Sequence, residues 1–186
     1  MKEKIRQALA AREKKVISDS SLADSAVLVP LFVKNGSYHV VFTKRAGHLT
    51  HHKGQISFPG GARHEEDRSL MDTALRESRE EIGLKESDVE ILGELDDAAT
   101  VTSLYRIVPF VGIIPYPYAF RADKLEVEEV FTLPLDDLLN HSIRKLENVS
   151  FGNLTIEMYT YELDGRVIWG ATAWMLNQLL EIVDKV

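Results

Sequence analysis

The segment from Ser69 to Gly83 sets the first constraint on how this 186-residue chain can fold. Its apolar residues recur at helical spacing from about Ser69 to Ile82, and Gly83 stands where a helix would end in a left-handed cap. At ~100° per residue, Met71, Ala74, Leu75, Ser78 and Ile82 fall on one arc and are expected to face a core. Glu77, Glu80 and Glu81 fall together on the neighbouring arc. Three carboxylates on adjacent turns repel one another. Set beside a buried face rather than opposite it, they become favourable when a hard cation sits among their oxygens, and Mg²⁺ or Mn²⁺ suits such donors. The competing reading is a solvated acidic face, tempered by Arg76 and Arg79 through pairs three and four residues apart.

The rest of the chain reads as strands and helices in mixed order. AVLVPLFV from Ala26 and YHVVFTK from Tyr38 flank Asn35-Gly36-Ser37, a strong hairpin signal. Pro30 cannot donate to a ladder, so the first strand is expected at a sheet edge or bulged there. From Arg45 to Gly61 no period is clear, and the stretch ends in Phe58-Pro59-Gly60-Gly61. Strands are predicted over 88–95, 107–114, 127–133 and 154–163, and at RVIW after the Asp164-Gly165 turn. A short helix is predicted over 134–139 and an amphipathic one over 170–183, with Trp169 and Trp174 read as core. The first fifteen residues form a charged helical extension with Ile5 and Leu9 on one side. The sum is a single α/β domain over 1–186, with helices on both sides of a mixed sheet and no strict βαβα rhythm.

Composition narrows the chemistry. With 22 Lys and Arg against 29 Asp and Glu, the formal net charge is −7. Nucleic acid is a poor partner, because that affinity comes from Lys and Arg displacing counterions. A polyphosphate substrate would need positive charge from another source. The chain has no Cys, which excludes thiolate nucleophiles, iron–sulfur clusters and cysteine-based zinc sites. His48, His51 and His52 lack a recognised ligand spacing and a fourth ligand; His48 and His51 read as solvated, His52 as a structural or substrate-facing loop residue. No signal-peptide core follows the first basic residues, and no apolar run approaches the ~20 residues of a membrane span. A cytoplasmic protein without a membrane partner is expected. The oligomeric state stays open, a homodimer included.

The segment from Gly60 to Leu84 resembles the signature of the Nudix hydrolases: Gly, five residues, Glu, seven residues, then Arg-Glu-aliphatic-any-Glu-Glu-any-Gly-aliphatic. Arg76, Glu77, Glu80, Glu81, Gly83 and Leu84 fit it. Gly61 lies one residue further from Arg76 than the signature has it, Asp67 stands where its first Glu is expected, and Ser78 takes an aliphatic position. Asp67 is the candidate partner of Arg76 across that longer spacing. The preceding segment resembles the extra motif of the coenzyme A pyrophosphatase branch, carried by Arg45, Leu49, His52, Gly54, Gln55 and the residues through Gly61. That branch shares the longer, Asp-containing spacing. The likeness extends over about 26–180.

The resemblance implies an α/β/α sandwich, the Nudix fold, and metal-dependent hydrolysis of a nucleoside diphosphate derivative with Mg²⁺ or Mn²⁺. In this branch the reaction is cleavage of CoA to 3′,5′-ADP and 4′-phosphopantetheine. It implies Glu77 and Glu81 as metal ligands, Glu80 as a third ligand or the base that activates water, and the Gly61 carbonyl as a further ligand. Arg76, which the helical wheel points away from the metal stripe, is expected to hold the carboxylates or the loop in place. The base could also come from outside the signature, from Glu126, Glu128 or Glu129. Arg45 and Lys44, at a strand end, are candidates for the 3′-phosphate of CoA or else a solvated strand end. His52 and Gln55 are candidate substrate contacts. Tyr116, Pro117, Tyr118 and Phe120 could stack on adenine or cover the pantetheine arm, with packing the favoured role. The alternatives are another nucleoside diphosphate derivative, such as ADP-ribose or NADH, and a non-catalytic nucleotide-binding module.

Overall fold

Asn35 and Gly36 both take positive φ, 53° and 86°, and turn the first strand back on the second as the Asn-Gly pair predicts. The computed structural model describes residues 1–48, 52–100, 103–152 and 154–185. In chain order the elements are α1 (Lys2–Ala11), β1 (Ala23–Lys34), β2 (Ser37–Arg45), β3 (Ile56–Ser57), β4 (Gly60–Ala62), α2 (Leu70–Ile82), β5 (Glu90–Glu94), β6 (Ala98–Ala99), β7 (Tyr105–Ile113), β8 (Val127–Pro134), α3 (Leu135–Leu138), β9 (Arg144–Phe151), β10 (Leu154–Leu163), β11 (Arg166–Trp169) and α4 (Gly170–Val183). The main sheet runs β3-β2-β1-β7-β5, with β4 on β1, β6 on β7 and β8 on β2; β11, β10 and β9 form a second, antiparallel sheet. The main sheet is mixed because β1 and β7 pair in parallel from Ala23↔Tyr105 to Leu31↔Ile113.

Strands β1 and β2 stay paired only near their turn, from Leu31↔Val40 to Lys34↔Ser37. Beyond that they separate, and residues 56–62 fill the gap: β3 pairs Thr43 and Lys44 of β2, and β4 pairs Ser25 to Val27 of β1. This corrects the expectation for Pro30, which lies on a central strand. Leu28, two residues earlier and on the same side, donates its N–H to the Pro59 carbonyl. The missing N–H of Pro30 therefore faces the break where β1 exchanges β4 for β2, and no ladder bond is forfeited.

Side chains of β1 alternate between two cores. Ala26, Leu28 and Phe32 face α2 with Val41, Ala74, Ile82, Val108 and Phe110. Val27, Val29 and Leu31 face α1, α4 and the second sheet with Ile5, Leu9, Phe42, Tyr161, Ile168, Leu176 and Leu179. Because both faces are covered, β1 reads as a continuous apolar run. Each such aliphatic side chain contributes about 1.5–3 kcal/mol by leaving water. The N-terminal helix is more than an extension, since Ile5 and Leu9 are buried in the larger core.

Two further expectations are corrected. The buried side of α2 carries Thr73, Ala74, Ser78, Glu81 and Ile82, while Met71 is 38% exposed. The helix is rotated so that one carboxylate stripe residue belongs to the buried face. Trp169 is 41% exposed at the end of β11, on the outer side of the small second sheet, whereas Trp174 packs on the core.

Candidate active site

The wedge between β1 and β2 brings two glycines against α2. Gly60 donates its N–H to Glu81 Oε2 at 3.2 Å. At Gly61 a methyl group would lie 2.6 Å from Glu77 Cδ, so only glycine leaves that carboxylate in place. Ser69 Oγ caps α2 by accepting from Asp72 N, and Gly83, at φ 69°, ends it. These caps hold the turn that carries Glu77 and Glu81 under the wedge.

Glu81 is 4% exposed, and burial pushes its carboxyl up to about 8; Glu77 and Glu126 repel its charge, while the Gly60 bond and Arg45 favour it. Burial likewise raises Glu77, with Arg76 opposing and Glu80 and Glu126 adding repulsion. Arg45 Nη1 lies 4.0 Å from Glu81 Oε1, and its Nε is buried without a hydrogen-bond partner among the described residues. Its backbone closes the loop after β2, donating to Gln55 O and accepting from Gly54 N.

Arg76 organises the opposite rim. Nε and Nη2 donate to Asp67 Oδ1 and Oδ2, Nη2 also to Ala62 O, and Nη1 to Glu77 Oε1 at 2.7 Å and Glu80 Oε2 at 3.0 Å. Asp67 accepts as well from His64 N and Thr73 Oγ1, and these partners, Arg76 first, hold its carboxyl far below the usual range. The longer spacing thus still brings Asp67 to Arg76. Arg76 does not point away from the carboxylates as expected: Glu80, four residues on, lies on the same face, and the long side chain also reaches Glu77.

The remaining candidates separate. Glu80 is half-exposed and shared between Arg76 and Arg79. Glu126 is exposed and repels both Glu77 and Glu81. Glu128 is matched by Lys44 at 2.7 Å, and Glu129 by Arg166 through two bonds of 2.8 and 2.9 Å. Lys44 therefore has its charge balanced within the fold. His52, at φ 55°, has Nδ1 3.0 Å from Gln55 Oε1, so these two residues close the loop on each other. His48 is exposed, while Leu49 and His51 lie outside the described residues. Tyr116 stacks on Phe32 with ring centroids 5.0 Å apart. The Tyr118 hydroxyl accepts from Lys85 N and donates to Asp88 Oδ2, with Phe120 against its ring, which is the packing role.

Sequence reasoning missed the Gly60 N–H, Thr73 and the residues 121–125 that lead to Glu126. Arg121 N and Asp123 N donate to the carbonyls of Ile82 and Glu81, both at 2.9 Å. A helix end always leaves carbonyls in need of donors, and that was the available signal.

Among the described residues, no three Asp, Glu or His side chains converge as a ready ligand set. The fit to a divalent cation is one of charge and donor type. A buried carboxylate lies within repulsive reach of two others, and the nearest cation to it among the described residues, Arg45, is 4.0 Å away. Hard carboxylate oxygens of this kind suit Mg²⁺ or Mn²⁺.

The NUDIX domain family model matches residues 23–150. The chain is 33% identical over 160 residues to the uncharacterized Nudix hydrolase NudL of Yersinia enterocolitica, covering 86% of this chain and 81% of the relative. It is 32% identical over 169 residues to the NudL of Photorhabdus laumondii, covering 91% and 89%. Its fold is similar to a C. elegans Ap4A hydrolase, with TM-score 0.53 and 15% identity over 63% of this chain and 84% of the other. It is also similar to a MutT/nudix family protein from Enterococcus faecalis, with TM-score 0.56 and 16% identity over 92% and 66%. Mixed sheet, capped acidic helix and the glycine wedge that supports it thus meet in a chain that belongs to the Nudix hydrolase family.

Proposed function

We propose that this Nudix hydrolase cleaves the pyrophosphate of coenzyme A with Mg²⁺ or Mn²⁺, releasing 3′,5′-ADP and 4′-phosphopantetheine. One observation carries the catalytic part: Glu81 is buried between the Gly60 N–H and Arg45, within electrostatic reach of Glu77 and Glu126. Glu77 and Glu81, with the Gly61 carbonyl, would hold the cation. When bound, the metal supplies Lewis-acid neutralisation of the pyrophosphate charge, which an acidic site otherwise repels. Arg76 keeps Glu77 and the 62–67 loop in place. Glu126 takes the proton from the attacking water as its oxygen bonds to phosphorus and the bridging P–O bond breaks. Of Glu126, Glu128 and Glu129 it is the one without a side-chain cation partner among the described residues. Glu80 is the second candidate base.

The motif from Arg45 to Gly61 supports CoA as substrate. Arg45, whose Nε has no hydrogen-bond partner among the described residues, is the cation best set to meet a phosphate, and the His52–Gln55 loop borders it. A second reading, ADP-ribose or NADH, draws on Lys44, whose pairing with Glu128 leaves one cation fewer for a 3′-phosphate. The test is to incubate the protein with CoA, 3′-dephospho-CoA, ADP-ribose and NADH, with and without Mg²⁺ or Mn²⁺, and separate the products. Preference for CoA over 3′-dephospho-CoA supports the first reading. Equal use of both, with faster cleavage of ADP-ribose or NADH, supports the second.

A further inference from the structure

Resting on the reading of Glu126 as the base, we infer that residues 121–126 form a strap binding it to the metal-carrying helix, with Asp123 as the positioning residue. Asp123 touches the backbone of both partners. Its N–H donates to the Glu81 carbonyl at 2.9 Å, and its own carbonyl accepts from Glu126 N at 3.0 Å and Val127 N at 2.7 Å. One residue thus links the main chain of a buried carboxylate to that of an exposed one. Arg121 N on the Ile82 carbonyl, at 2.9 Å, anchors the start of the strap, and Ala46 N on the Glu126 carbonyl, at 2.8 Å, holds its end beside Arg45.

The side chain of Asp123 closes the device. Oδ1 accepts from Leu125 N at 2.9 Å and keeps the turn folded over residues 123–126. Leu125 adds no burial to the turn, being 72% exposed. Without that bond the turn rests on its main-chain bonds alone and loosens, and Glu126, on a long side chain with many rotamers, spreads over positions where it cannot reach the water. Asn can make the same bond through its carbonyl oxygen and Ala cannot. The strap therefore needs an acceptor at position 123 and no charge.

The test compares Asp123→Ala, Asp123→Asn and Glu126→Gln, each checked for an unchanged circular dichroism spectrum, in CoA hydrolysis with Mn²⁺ and in amide hydrogen exchange of the metal-free protein. Asp123→Ala should lower kcat roughly five- to tenfold, about one hydrogen bond's worth, with KM unchanged, and speed exchange at residues 125–127 by a similar factor. Asp123→Asn should restore both. Glu126→Gln should cost about a hundredfold in kcat without altering exchange. Normal turnover by Glu126→Gln would overturn the assignment of the base. A crippled Glu126→Gln beside a fully active Asp123→Ala would overturn the strap alone. Unchanged exchange in Asp123→Ala, or failure of Asn to restore it, would overturn the strap whatever the substrate.

Discussion

Arg76 grips Asp67 through two parallel hydrogen bonds, Nε to Oδ1 and Nη2 to Oδ2, each 2.9 Å long. The pair is largely buried and fastens the 62–67 loop to α2. Asp67→Asn removes the bidentate partner and leaves Arg76 with only the carboxylates of Glu77 and Glu80, so it is expected to cost on the order of 2 kcal/mol in urea unfolding. Arg76→Lys should fare little better, because an ammonium cannot make the parallel pair. Wild-type stability in either variant would show that the loop is held by other contacts.

Glu81 predicts how stability without metal depends on pH. Its folded carboxyl, raised to about 8, stays protonated where the unfolded chain has ionised, from about 4.5 upward. The folded state then binds more protons than the unfolded one, so this group lowers stability as pH rises from about 4.5 to about 8, with no further change above. A divalent cation favours the ionised form. Its Tm increment should therefore be larger at pH 8 than at pH 5.5, and Glu81→Gln should abolish the difference. Equal increments at the two pH values in the wild type would count against Glu81 as a ligand.

Gly61 tests the fit between wedge and helix. A methyl group there would meet the Glu77 carboxylate at 2.6–2.7 Å and displace it. Gly61→Ala should lower kcat/KM by at least about tenfold, since displacement of a catalytic group by about an ångström is costly. Mn²⁺ affinity, followed by electron paramagnetic resonance, should fall in parallel. A variant with unaltered Mn²⁺ binding and turnover would place Glu77 outside the site.

What could be read from the chain depended on how local the determinants are. Helix α2 was legible because Ser69 and Gly83 act within a turn of its ends, and the β1–β2 turn because Asn35 and Gly36 define it alone. The wedge was not, since β3 and β4 are only two and three residues long and pair with residues 43–44 and 25–27, remote in sequence. Nor was the burial of Glu81: its cover comes from the wedge and from the 121–126 strap, both remote in sequence. Strand β9 escaped notice because it borders the second sheet and carries the polar run Arg144-Lys145-Leu146-Glu147-Asn148. The Arg76–Glu80 pair, four residues apart, was within reach of sequence spacing, whereas the rotation of the helix about its axis was set by its neighbours.

The most direct measurement is the rate of 3′,5′-ADP release from CoA as Mg²⁺ is titrated, in the wild type and in Glu81→Gln. Release should require the added cation, saturate with it, and fall at least about a hundredfold in the variant while the fold is kept. Metal-independent release, absence of 3′,5′-ADP at saturating Mg²⁺, or a Glu81→Gln variant as fast as the wild type would contradict the account.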